Sequence, residues 1–78
     1  MNIKVKYFAS LRELMGEAGS EIDIEESVSV SDLWQSLTES KNIAFDNVMM
    51  AVNMEYVKPE HQLKSGDEVA FFPPVTGG

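Results

Sequence analysis

The stretch "NIKVKYF" at residues 2 to 8 constrains the fold more than any other. Apolar and charged residues alternate, and a period of two is the period of a strand. Ile3, Val5 and Tyr7 face one way; Lys4, Lys6 and Phe8 face the other. The pattern predicts a strand laid with one face on a core. "SLRELMG" follows at once. Ser10 and Glu13 fit a capping box, Leu11, Leu14 and Met15 share a helical face, and Gly16 suits a left-handed C-terminal stop. A short helix of about two turns is expected there.

The rest of the chain continues in the same two periods. "EIDIE" alternates, with Ile22 and Ile24 inward, and reads as a second strand that could lie at a sheet edge. "SVSDLWQSLTES" reads as a second helix. Ser29 and Asp32 can cap its start, Val28 can staple onto Leu33, and Val30, Leu33, Trp34 and Leu37 form an apolar stripe. Trp34 is expected to pack in the core. "NVMMAVN" is a continuous apolar run, as an interior strand requires. Asn53 can begin a turn and "EYV" a short return strand. Pro59 makes the next stretch a loop, and His61, alone there, reads as a surface residue rather than a metal ligand. "KSGDEVAFF" supplies a turn and a last strand, with Val69 and Phe71 alternating against Ala70 and Phe72.

This order predicts an α+β roll: a mixed four- or five-stranded sheet with one main helix on one face and a short helix besides. Residues 1–72 read as a single domain and 73–78 as an extended tail. The opposite sheet face is left thinly covered. Lys4, Lys6, Phe8, Ala70 and Phe72 share it if the first and last strands are neighbours. Two exposed phenylalanines there would form an apolar patch, unless the tail or a loop folds over them.

Composition narrows the function. With 78 residues and no cysteine, the chain has a thin core and no disulfide, thiolate metal site or cysteine nucleophile. The net charge is −7, with only six basic residues, which argues against nucleic acid and for a partner with a basic surface. The acidic run "EIDIEE" reads most simply as a solvated edge strand. No apolar run approaches the roughly 20 residues that span a bilayer, and the N-terminal stretch lacks the apolar region of a signal peptide. A soluble cytoplasmic protein is expected, with no membrane partner. The sequence shows no catalytic dyad, phosphate loop or metal cluster.

The chemistry gathers instead at "FFPPVTGG", residues 71 to 78. A glycine-rich end is often only frayed. Here Pro73 and Pro74 restrict φ where the chain leaves the last strand, so the tail is given a direction. Gly77 and Gly78 have no side chains and could enter a tunnel closed to other residues. The reactive group at the tip is an α-carboxylate, a poor electrophile until activated, for instance as an acyl-adenylate. Such a tail is suited to being another enzyme's substrate.

Taken together, "YFASLRELMG" at 7–16, "AVN" at 51–53 and "LKSGDEVAFFPPVTGG" at 63–78 resemble the small subunits of molybdopterin synthase, which are β-grasp, ubiquitin-like sulfur carriers. The resemblance covers the whole chain in length and element order, and the C-terminal stretch is its most specific part. It implies that an ATP-dependent enzyme adenylates Gly78 and that a sulfur donor converts the adenylate to a thiocarboxylate. It implies that the tail enters the large subunit of a heterotetramer, where sulfur passes to cyclic pyranopterin monophosphate to build the dithiolene. Gly77 and Gly78 are then the reacting end, and Pro73, Pro74, Val75 and Thr76 the partner-binding tail. Phe72 becomes an interface anchor, and Phe8 and Arg12 sit near the partner surface. No cofactor is bound, ATP being used by the activating enzyme. A ubiquitin-like protein modifier, a thiamin sulfur carrier and an inert interaction domain are the alternatives.

Overall fold

The computed structural model describes residues 1–43 and 48–74. The elements run β1 (Asn2–Tyr7), α1 (Ser10–Met15), β2 (Gly19–Asp23), α2 (Val30–Ser40), β3 (Met49–Val52), β4 (Glu55–Tyr56) and β5 (Glu68–Phe72). They build one five-stranded mixed sheet in the order β2-β1-β5-β3-β4. β1 and β5 pair in parallel at its centre, Tyr7 beside Phe71, and the other pairings are antiparallel. This is the α+β roll that the element order predicts and the β-grasp that the resemblance implies.

The alternation in β1 is realised residue by residue. Ile3, Val5 and Tyr7 are buried while Asn2, Lys4 and Lys6 are exposed. Val69 and Phe71 of β5, Met50 and Val52 of β3, Leu11 and Met15 of α1, and Val30, Leu33 and Trp34 of α2 join them in one core. The Trp34 ring lies 4.7 Å from that of Phe71, so the tryptophan packs as expected. Burial of each such large side chain contributes about 1.5–3 kcal/mol. Leu63, 1% exposed, also belongs to the core.

α2 begins as its sequence dictates. Ser29 is the N-cap, and its Oγ accepts the Asp32 N–H at 3.0 Å. Such a cap contributes about 1 kcal/mol. Leu37 is only half-buried, and Thr38 takes a buried place beside the stripe. Its hydroxyl donates back to the Trp34 and Gln35 carbonyls, so the polar atom is satisfied.

α1 departs from its expected start. The N-cap is Ala9, not Ser10, and no side chain caps it. Ala9 stands at φ 54 and ψ −132, close to the first central position of a type II′ turn, and the Leu11 N–H donates to the Phe8 carbonyl across it. The turn leaves Ser10 already helical, which removes the capping box. Leu14 is likewise exposed at 42%. Leu11 and Met15 are four residues apart and fill the inward face of a helix only six residues long. Gly16 ends it at φ 77, in the left-handed conformation expected.

β2 is an edge strand, and its acidic side chains Glu21 and Asp23 are exposed, as a solvated edge requires. The strand starts at Gly19, two residues earlier than its alternation suggests, and Ile24 lies just beyond its end. His61 is exposed, in the loop predicted for it.

One polar group in the core has a measurable consequence. The Tyr7 hydroxyl is buried without a hydrogen-bond partner. Burial pushes its pKa from 10.0 up to about 12, and the Glu17 charge adds to the rise. The unfolded phenol ionises near 10, so above that pH unfolding releases a proton that the folded state retains. The Tyr7 contribution is therefore complete below pH 10 and should be lost as the pH rises towards 12. Urea unfolding at stepped alkaline pH is expected to show this decline in the wild type and a smaller one in Tyr7→Phe. Identical pH profiles would contradict it.

Candidate docking face and tail

Both helices lie on the core side of the sheet, so the opposite face is open. Register shows which side chains occupy it. Lys6 lies beside Ala70, Ala70 beside Ala51, Ala51 beside Tyr56, and Met49 beside Phe72. Phe8 follows Tyr7 on the open side, and its N–H donates to the Phe71 carbonyl at 3.1 Å. The adjacency of the first and last strands brings together the residues that the sequence assigns to this face.

At the C-terminal end of β5 these side chains form an aromatic row. Phe72 meets Phe8 edge to face at 6.1 Å and Tyr56 at 5.6 Å. Contacts of this kind contribute about 0.5–1.5 kcal/mol beyond area burial. Phe8 is 41% exposed and Tyr56 70%, whereas Phe72 between them is half-buried. The expected pair of exposed phenylalanines is thus corrected to one exposed ring, one sheltered ring and a tyrosine. Two grooves flank the row. One, of about 390 Å³, is lined by Phe8, Ala51, Met54, Tyr56, Ala70 and Phe72 among others. The other, of about 580 Å³, brings Phe8 and Arg12 together with Lys4 and Lys6. Lys6 pairs with Glu68 at 3.4 Å, an exposed contact that adds little to stability.

The backbone around the row is held in uncommon conformations. Among the described residues four non-glycine residues have positive φ, and Ala9, Asn53 and Met54 border this face. Asn53 and Met54 are the two central residues of the β3–β4 hairpin, which has the signature of a type I′ turn. Asn53 also ties the hairpin to β5. Its N–H donates to the Glu68 carbonyl, its Oδ1 accepts the Glu68 N–H at 3.0 Å, and its Nδ2 donates to Asp67 Oδ1 at 3.0 Å. The "AVN" motif is thereby a local turn and a long-range fastening of the strand that leads to the tail.

Pro73 and Pro74 are half-buried and end the β5 ladder, having no N–H to donate. Val75, Thr76, Gly77 and Gly78 lie outside the described residues. Tyr56 and Met54 are additions that the sequence reading missed. The alternation of "EYV" was the available signal for Tyr56, since pairing with Ala51 sets it on the open face. Among the described residues no group of three or more histidine, aspartate or glutamate side chains could hold a metal ion. Nor is any helix there long and apolar enough to cross a membrane.

The mixed five-stranded sheet with its two helices is a β-grasp fold of the ubiquitin-like class. The small archaeal modifier protein 1 (SAMP1) of Haloferax volcanii superposes with a TM-score of 0.78 at 26% identity, covering 100% of both chains. The fold also recurs in the Helicobacter pylori complex of subunits 1 and 2 of molybdopterin-converting factor, with a TM-score of 0.70, 23% identity and 100% of both chains covered. The molybdopterin synthase sulfur carrier subunit of Escherichia coli K12 is 39% identical, over 97% of this chain and 99% of its own. The ThiS family model matches residues 5–78. The chain belongs to the ThiS family, among the molybdopterin synthase sulfur carrier subunits.

Proposed function

We propose that this chain is the sulfur-donating subunit of a molybdopterin synthase and that it works through Gly78. One observation carries the reading: the central strand ends in an aromatic docking row and continues directly into Pro73, Pro74 and the diglycine. A partner that grips Phe8, Phe72 and Tyr56 holds the root of the tail and so places its tip. An activating enzyme couples the Gly78 carboxylate to ATP, forming an acyl-adenylate and releasing pyrophosphate. A donor of sulfur at the sulfide level attacks the acyl carbon, AMP leaves, and a thiocarboxylate remains. In the large subunit that sulfur bonds to cyclic pyranopterin monophosphate, and water then cleaves the acyl carbon–sulfur bond, which leaves the sulfur on the pterin and regenerates the terminal carboxylate for another round. Glycine suits both steps, since its carbonyl is the least hindered acyl centre.

A second reading, protein modification through the same activated glycine, is favoured by the likeness to the archaeal modifier. The identity of 39% to a sulfur carrier subunit against 26% to the modifier supports the first. Intact mass of the protein purified from cells separates them. A carrier shows a species with one terminal oxygen replaced by sulfur. A modifier shows conjugates of higher mass, and their presence without the sulfur species would overturn the proposal.

A further inference from the structure

Met54 is the most exposed large apolar side chain among the described residues, at 93%. It stands at the second central position of the β3–β4 hairpin with φ 71. A type I′ turn prefers glycine there, because a side chain crowds the backbone at positive φ. The chain therefore accepts both backbone strain and an apolar side chain in water at one residue. The core makes no use of Met54. Strain of this kind persists where surrounding structure enforces it and clusters at binding sites.

The surroundings supply a use. Asn53, next in the chain, is fastened to Asp67 and Glu68, so the hairpin tip is held in place relative to β5. Met54 lines the same groove as Phe8, Tyr56, Ala70 and Phe72. It extends the aromatic row outward by one side chain. A methionine is unbranched and polarisable, and it adapts to an irregular apolar surface better than other residues of its size.

We infer that Met54 is a docking and specificity-determining residue: the hairpin holds its thioether out to enter an apolar socket on the large synthase subunit. This rests on the proposed function, and it makes that partner's surface continuous from Phe8 through Phe72 and Tyr56 to the hairpin tip. It also means that stability and docking pull in opposite directions at one position.

The test uses the full chain and the large subunit, with thermal unfolding and calorimetric titration of the wild type, Met54→Gly and Met54→Leu. Met54→Gly relieves the strain and should melt roughly 4 °C higher, yet bind about tenfold or more weakly. Met54→Leu conserves volume and apolarity and should bind within a few-fold of the wild type. If Met54→Gly binds as the wild type does, the inference is wrong. If it melts lower, Met54 is kept for the fold, which also overturns it. A wild type that does not bind the large subunit at all would instead remove the proposed function beneath it.

Discussion

A chain extended by one alanine after Gly78 is expected to lose sulfur transfer altogether, while keeping its fold and most of its binding to the large subunit. The reach of the tail is set at its root, where β5 ends at Phe72 and Pro73 and Pro74 follow. One further extended residue moves the terminal carbonyl by about 3.3–3.6 Å. A displacement of about 1 Å can already cost on the order of 10²-fold in rate. The new end also carries a methyl group where the passage is expected to admit glycine alone. The aromatic row is untouched, so docking survives. The extended protein would be incubated with the activating enzyme and ATP, then assayed for adenylation and for product with the large subunit. Normal molybdopterin synthesis without trimming back to Gly78 would end the terminal-carrier mechanism.

Phe72→Ala should weaken assembly with the large subunit about 30-fold or more. The ring is the middle member of the row, flanked by Phe8 and Tyr56 and shielded from water by both. Anchors in that position commonly cost about 2–4 kcal/mol when truncated, and 1.4 kcal/mol is tenfold. The isolated domain should lose only the two ring contacts, about 1–3 kcal/mol together, and keep its fold, because Val69 and Phe71, not Phe72, face the core. Calorimetry of the two proteins measures the first effect and urea unfolding the second. Unchanged binding would take Phe72 out of the interface.

The parts of this molecule legible in its sequence are those governed by a single local rule. Alternation in "NIKVKYF" and "EVAFF" assigned each side chain to its face, and Ser29 was recognisable as a cap because its bond to Asp32 spans three residues. Ala9 shows where such rules stop. Its positive φ, held between the end of β1 and the start of α1, displaced the cap that Ser10 and Glu13 suggested. Leu14 lost its place because a two-turn helix offers the core only two large side chains. Thr38 and Leu63 were overlooked because burial there depends on what packs above them. At the site, Phe8, Arg12 and Phe72 could be named from the resemblance of the flanking motifs. Tyr56 and Met54 needed the register between β3, β4 and β5, and Asn53 revealed its second role only through partners 14 and 15 residues away.

The position of β5 has a bearing on how the molecule is made. It is last among the strands in chain order, yet it lies in the middle of the sheet, between β1 and β3. A nascent chain that has not reached residue 68 lacks Val69 and Phe71, both fully buried, and its β1 has only an edge partner. Closure therefore waits for β5 to be made, and such non-local pairing is slow to form. Products terminated before β5 would be left unfolded and open to proteolysis. Synthesis itself would act as an inspection step, in which only chains that include β5 are able to fold.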